Sequence, residues 1–398
     1  MSLFVLMGER NVINYIYNFP HSMILFVLLF IFIILLYLCF HILKKNGFRW
    51  NDNITINEFR INTYEGYSNF NDWMREESYL KTLEKDHKEV HFPYRYTQDE
   101  KGNILPLVMV TGFFRDDLER QRFDEYINNG VKVIGVTAYK TFPKPITDVT
   151  GDSDSSNDTF DYYNKIQNWL CCFDKPKNYG FTANHQLANI SESDFYDAEQ
   201  EARKNKKYDL IYICLDDTDI ENCPMHGWNA INRNFKLALA CFPILIHEMK
   251  LRVLVIGRQN CGLEKLYGDR ITVMGFLPWD DFQEKLRESS ILFVPNIYDA
   301  SPRVIAEALT KGLPVLMNRS IVCGSKYVVP ETGELFTDEN DIRWSIQSLL
   351  TRLPTMDTIG WWKQHYSRKK SGEKLHKIIE SWYPGFLPST VREIYFRL

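Results

Sequence analysis

Ile291-Leu292-Phe293-Val294-Pro295-Asn296-Ile297-Tyr298-Asp299-Ala300-Ser301-Pro302-Arg303-Val304-Ile305-Ala306-Glu307-Ala308-Leu309-Thr310-Lys311-Gly312-Leu313-Pro314-Val315-Leu316-Met317 reads as strand, loop, helix and strand again. The apolar run Ile291 to Val294 suits a strand covered on both faces, as in a parallel sheet. Ser301 is a capping hydroxyl, Pro302 a favoured first helical residue, and Gly312 a stop. Leu313 to Met317 begins the next buried strand. Two acids, Asp299 and Glu307, are separated by seven residues across the strand-to-helix loop. An open α/β sheet holds its ligand there, outside the carboxyl ends of its strands.

The same alternation extends over 207–352. Tyr208 to Leu215, Leu251 to Ile256 and Ile271 to Met274 read as strands, Trp228 to Met249 as one long helix, Trp279 to Ser289 and Glu339 to Leu350 as further helices. Strands alternating with helices predict a doubly wound parallel sheet. A smaller domain over 104–206 precedes it. Strand Ile104 to Thr111, helix Asp116 to Asn129 and strand Val131 to Val136 make a parallel crossover unit. Thr159 to Cys172 reads as an amphipathic helix, His185 to Asp194 contains a short strand, and Asp197 to Asn205 reads as a helix. The tail, 353–398, has a helix near Gly372 to Trp382; it either packs on its own domain or crosses back to the first.

Ahead of these domains lies a short segment, 1–22, and then an apolar run, 23–43, without a charge between Arg10 and Lys44. At 1.5 Å per residue it is about 30 Å long, which spans a bilayer. It is too long and starts too late for a cleaved signal, so a single-pass anchor is expected. Lys44, Lys45 and Arg49 follow it, and the positive-inside rule sets the rest of the chain on the cytoplasmic side. The Asn-x-Ser/Thr triplets at Asn53, Asn157, Asn189 and Asn318 are then chance. Residues 44–103 read as a stem with a helix at Asn71 to Asp86 and a turn-rich approach at Tyr94 to Asn103.

The 398 residues have a net charge of -4, which gives no reason to expect a nucleic-acid surface. Their 22 Tyr and 26 Phe suit large cores and sugar-stacking faces equally. The eight cysteines are scattered without metal-ligand spacing, so reduced thiols are expected and structural zinc is not.

Several polar loops share the carboxyl edge of the second sheet. Asp216-Asp217-Thr218-Asp219 follows its first strand, and Cys223 to Asn229 leads into a helix whose N-terminus suits phosphate. Arg233 and Lys236 lie in that helix, Gly257-Arg258 follows the next strand, and Gly275-Phe276-Leu277-Pro278 offers backbone groups to a base. Ser301, Pro302, Arg303 and Val304 present N–H groups and a guanidinium toward phosphate. The plainer alternative has Ser301 merely capping, with Arg233, Lys236 and Glu307 solvated. In the first domain, Gly112 ends a strand at a possible ligand loop or a simple tight turn. The acidic loop Asp148 to Asp158, with Asp152 and Asp154, reads as solvated rather than metal-binding.

Asp299 to Val315, followed by Thr332-Gly333-Glu334-Leu335-Phe336, resembles the carboxyl domain of retaining GT-B glycosyltransferases of family 4. In that family two acids flank seven residues, then Glu-Ala-Leu and Gly-x-Pro-Val lead on to Thr-Gly-x-Leu-Phe. The resemblance covers 207–352 and, loosely, the first domain. It implies two Rossmann-like domains facing a cleft and a UDP- or GDP-linked sugar donor. It also implies front-face transfer with retention, and no bound metal or other cofactor. By position, Glu307 would hold the donor's ribose, Asp299 its sugar, and backbone around Ser301 to Val304 its diphosphate. The chain departs from the pattern in having Asp rather than Glu at 299, and in lacking the usual Arg and Lys pair after the first strand. Arg233, Lys236 or Arg258 would substitute. His185 and His226 are weak candidates for an acceptor-side histidine.

The expected activity is therefore transfer of a hexose or related sugar to a glycan, lipid-linked or protein acceptor. Two alternatives stand beside it. Asp217 and Asp219 could be the metal-binding pair of a GT-A transferase, or the chain could be an inactive, anchored binder of sugar nucleotide or glycan.

Overall fold

The structure, a computed structural model, describes residues 93–137, 142–143, 159–200, 202, 205–216, 223, 225–299 and 303–396. The apolar run 23–43, the helix expected at 71–86, the loop 148–158, Asp217, Asp219, Ser301 and Pro302 lie outside them. All described residues fall within one unit, 62–398. Among the described residues no helix is long and apolar enough to cross a membrane.

The first sheet is built from β1 (Tyr94–Asp99), β2 (Ile104–Val110), β3 (Lys132–Val136), β4 (Asn168–Leu170) and β5 (Gln186–Ala188). Strands β2 to β5 are parallel neighbours, and β1 lies antiparallel against β2. All seven residues of β2 are buried. Ile104, Val108 and Val110 enter one core cluster, whereas Leu105, Leu107 and Met109 enter another on the opposite face. That two-sided burial follows from the period of two along a strand. Between β2 and β3, α1 (Asp117–Asn128) begins where Asp116 caps the Glu119 N–H and ends at Asn129.

Three sequence expectations for this domain are corrected. Tyr94–Asp99 is a strand whose Tyr94 and Tyr96 rings are buried, not a turn-rich approach. Thr159 to Cys172 is helical only over α2 (Tyr162–Lys165) and then becomes β4. The indole of Trp169 lies on Gly135 of β3, where an added Cβ would stand 2.2 Å from the ring. That close fit favours a strand over further helix. Residues 197–200 are not helical, so the helix expected at Asp197 to Asn205 is not formed there.

The second sheet runs in the order β11-β10-β9-β6-β7-β8 and is wholly parallel. Its strands are β6 (Tyr208–Ile213), β7 (Val253–Ile256), β8 (Ile271–Met274), β9 (Ser289–Val294), β10 (Val315–Asn318) and β11 (Gly333–Phe336). The long helix expected at 228–249 is broken. It comprises α3 (Trp228–Asn232), α4 (Phe235–Phe242) and a π-helical turn, Pro243–Glu248. Asn234 sits at φ 49 between the first two, a left-handed conformation that asparagine tolerates better than most residues. After β7 comes α5 (Leu263–Tyr267), and α6 (Trp279–Arg287) and α7 (Arg303–Leu309) flank β9. Residues alternate between faces again: Val253, Val255, Ile291 and Phe293 face the α4 side. Leu254, Ile256, Leu292 and Val294 face α6 and α7.

Beyond α8 (Ile342–Arg352), the tail crosses between the sheets. In α9 (Thr358–His365), Trp362 packs in the core beside α7. In α10 (Arg368–Trp382), Leu375 and Ile379 pack instead with Leu105, Leu107 and Met109 of the first domain. The chain then adds β12 (Ile394–Phe396) antiparallel to β1. Truncating the buried Ile379 to Ala should cost about 2–5 kcal/mol. A urea titration of the full chain should register that loss as a lower midpoint.

Candidate functional site

Because the strands of the second sheet are parallel, all their carboxyl-end loops emerge along one edge. β9 lies beside β6, so the loop after each is brought against the other. The Ile297 N–H donates to the Asn232 carbonyl at 3.3 Å, and the Val322 N–H to the Ile297 carbonyl at 3.0 Å. The loop after β9 is thus pinned between α3 and the loop after β10. Within it, Asp299 is paired with the Arg233 guanidinium and accepts from Asn296 Nδ2 at 3.2 Å. Arg233 caps the carboxyl end of α3, just before the break at Asn234, and Tyr212 Oη donates to its carbonyl at 3.1 Å. The break turns this arginine toward the acid that the sequence placed in the next loop.

Glu307 lies in the second turn of α7, in the seam with α6. Burial pushes its carboxyl above the ordinary glutamate range, against the opposing pull of Lys311, Arg303 and the Gln283 amide. Asp299 and Glu307 therefore occupy different surroundings along one edge. The first is held by an arginine, the second is half-buried between helices. Tyr196, on the linker from the first domain, stands near both Glu307 and Arg303.

The other candidates separate. Arg258 is fully buried, at φ 56, with its Nε 3.0 Å from Cys214 Sγ and its guanidinium 5.1 Å from the Phe235 ring. Gly257 is required at φ 97, because a Cβ there would come within 2.1 Å of the Cys214 carbonyl. Lys236 is exposed, Arg303 is exposed, and Val304 is half-buried. Gly112 is buried where Phe113 and Phe114 pack into an aromatic cluster with Tyr162 and Phe160. His226 is exposed. His185 Nδ1 accepts from the Thr182 N–H at 3.0 Å, and its Nε2 lies 3.1 Å from the Tyr163 carbonyl. It borders a cavity of about 530 Å³ also lined by Asp161, Asn164, Gln167 and Asn184, which precede β4 or β5. Among the described residues no group of three or more His, Cys, Asp or Glu side chains could hold a metal ion.

Some neighbours of the site escaped sequence reading. Cys223 and Cys261 form a disulfide, with Cα atoms 4.9 Å apart. This corrects the expectation of reduced thiols throughout. The two cysteines are 38 positions apart in the chain, but β6 and β7 are parallel neighbours, so the loops that follow them meet. Cys171, Cys172, Cys214, Cys241 and Cys323 are buried free thiols.

Loops of the first sheet also reach this edge. Phe173 bridges to Cys323, and the Asp174 N–H donates to the Val322 carbonyl at 3.0 Å. Lys326 Nζ lies 2.8 Å from Asp194 Oδ2, Tyr327 Oη donates to the other oxygen, and Ser191 Oγ is 2.9 Å from the same hydroxyl. The carboxyl edges of the two sheets therefore face each other. The fold is α/β with two Rossmann-like sheets, the GT-B-like arrangement.

Residues 226–352 match the family model described as glycosyl transferases group 1. That span holds Arg233, Gly257, Arg258, Asp299 and Glu307. This part of the chain is thus similar to the group 1 glycosyltransferases, the class to which the resemblance pointed. No curated protein sequence matches. Among solved structures, a pneumococcal O-GlcNAc transferase, GtfA, in complex with UDP and GlcNAc is similar at 13% identity and a TM-score of 0.47, over 67% of this chain and 55% of that one. The chain thus spans about half the length of that transferase. A lipopolysaccharide outer core galactosyltransferase, WaaB, is similar at 12% identity and a TM-score of 0.47, over 78% of this chain and 81% of that one. A sucrose-phosphate synthase from Thermosynechococcus elongatus is similar at 12% identity and a TM-score of 0.46, over 80% of each chain. Likeness at this level carries no information about substrate.

Two measurements bear on this edge. Loss of the Cys223–Cys261 link, by Cys261→Ser or by dithiothreitol, should lower stability by roughly 2–4 kcal/mol and appear as a lower melting temperature. Glu307 has a raised pKa in the folded state, so its favourable contribution is complete only below its unfolded pKa and is lost as pH rises through the folded value. Relative to the parent, Glu307→Gln should gain stability with rising pH in the window that opens near the ordinary value of 4.5. Melting curves across that window would record the crossover, and parallel curves for the two proteins would contradict it.

Proposed function

We propose that the chain is a nucleotide-sugar-dependent glycosyltransferase. Its donor would lie along the carboxyl edge of the second sheet. The observation that carries this reading is the juxtaposition of Arg233 and Asp299 within the segment matched by the group 1 family model. A guanidinium has five N–H donors, so an arginine oriented by one carboxylate retains donors for a diphosphate. Asp299 would hold this cation and the donor's sugar hydroxyls, while Glu307 would accept from the ribose. As the glycosidic bond breaks, negative charge grows on the diphosphate, where Arg233 stabilises it. Transfer proceeds on one face of the sugar with retention, the leaving phosphate taking the acceptor's proton. The site supplies no role for a protein nucleophile, and the diphosphate charge is met by arginine, so metal is not required.

The acceptor side belongs to the first domain and is a glycan, a lipid-linked sugar or a glycoprotein. The apolar run 23–43 supports a membrane anchor. The charges after it favour the cytoplasmic side, whereas a disulfide favours an oxidising compartment. Alkylating the native protein in cells before any reduction, and weighing it, decides between them: blocked Cys223 and Cys261 mean the cytoplasmic side.

A thermal-shift series with UDP-, GDP- and ADP-sugars should give a rise for one nucleotide class, since a ligand that binds only the folded state stabilises it. With that nucleotide, Arg233→Ala should weaken binding about 10- to 100-fold, the scale of a lost charge-assisted contact, and Glu307→Ala should remove detectable binding. Turnover should persist in EDTA. Unchanged affinity in both variants would place the donor elsewhere, and abolition of turnover by EDTA would return the reaction to a metal-dependent site.

A further inference from the structure

One buried polar group beside Glu307 has no part in the scheme above. Gln283 of α6 is 2% exposed, and among the described residues neither its Nε2 nor its Oε1 has a hydrogen-bond partner. Most buried amides are satisfied, and one left orphaned in a helical seam opposes folding. Its position is well fixed. Leu286, one turn on, packs in the core that also contains Ile305, Ala306 and Leu309 of α7. Arg287 Nε donates to Glu199 Oε1 at 2.9 Å, and the Glu199 N–H donates to the Thr310 carbonyl at 2.9 Å. The linker thus ties α6 to α7 behind the carboxylate.

Gln283 lies deeper in this seam than the half-buried Glu307 and favours its ionised form without a hydrogen bond of full geometry. The other charged and titratable groups around Glu307 are Arg303 on its own helix, Lys311 in the turn that follows it and Tyr196 on the linker. Lys311 is shared with Glu199 of the linker and opposed by Arg287 of α6. The two cations therefore act from the first residue of α7 and from the turn after it, and Gln283 is the neutral donor that approaches from across the seam.

We propose that Gln283 is a positioning residue for donor binding: its amide closes on one oxygen of Glu307, leaving the other aimed at the ribose hydroxyls of a nucleoside diphosphate. The inference rests on the reading of Glu307 as the ribose clamp. The orphaned amide is then unsatisfied only in the unliganded protein, and ribose specificity depends on a residue that does not touch the sugar.

The test uses the full chain and isothermal titration with UDP or GDP, whichever binds, and with its 2′-deoxy form. Gln283→Leu keeps the size and removes the donor. It should weaken the ribonucleotide about tenfold, the scale of one lost hydrogen bond to a charged group, and the deoxynucleotide by less than about twofold. The pH below which affinity falls should rise, because an amide that favours the carboxylate is gone. Gln283→Glu, isosteric and charged beside Glu307, should bind poorly at neutral pH and recover on acidification, which covers the case in which the leucine variant does not fold. Equal losses for both nucleotides, or an unchanged pH profile in the folded variants, would overturn the proposal. If Glu307→Ala binds the ribonucleotide normally, the ribose reading itself fails; if it does not bind and Gln283→Leu is silent, only the positioning role fails.

Discussion

The parallel pairing of β9 with β6 is the constraint on which the rest of the site depends. It sets Tyr208 beside Ser289 and Tyr212 beside Phe293, so the two chains leave the sheet side by side. Arg233 and Asp299, 66 positions apart, become partners because of that register. A strand slipped by one residue would turn Phe293 and Val294 to the wrong faces and separate the loops as well. The apolar alternation that holds the register therefore also places the charged pair. Packing and chemistry are specified by the same residues.

The second requirement is that two sheets present the same edge to each other. Here the contact is polar as well as apolar. Asp194 and Tyr327 are each 1% exposed, and with Lys326 and Ser191 they form a network across the junction. A buried carboxylate so far from water is tolerable only with partners of this kind. The tail reinforces the arrangement from the other side, since α9 packs on the second sheet while α10 and β12 complete the first. Relative movement of the domains would have to work against both sets of contacts.

Electrostatics divide the two acids that the sequence presented as a pair. Asp299 has a cation at contact distance and a carboxamide beside it. Glu307 is desolvated, and its cations come from the start of its helix and from the turn beyond its end. Their chemistry differs accordingly: one is suited to hold a charged partner in place, the other to accept hydroxyl protons in a partly dry seam. Neither arrangement resembles an acid and base sharing a proton.

Much of this was legible in the sequence. The runs at 104–110, 253–256, 291–294 and 315–317 are apolar enough to require burial on both faces, and strand–helix alternation implies parallel order. The spacing of Asp299 and Glu307 placed both acids at the carboxyl edge before any contact was known. What the chain order could not disclose lies in contacts between distant segments. Cys223 meets Cys261 because the loops that carry them follow neighbouring strands; Trp169 becomes part of a strand because Gly135 leaves room for its ring; Tyr94–Asp99 lies inside a sheet because β2 on one side and β12, near the end of the chain, on the other pair with it. The selection of Arg233 over Lys236 and Arg258 as partner of Asp299 is of the same kind. Local pattern determines which segments are strands and helices, because burial and hydrogen bonding act residue by residue. The identity of the cation was decided only by tertiary structure, since a break at Asn234 and the neighbouring strand's register set which side chain reaches the acid.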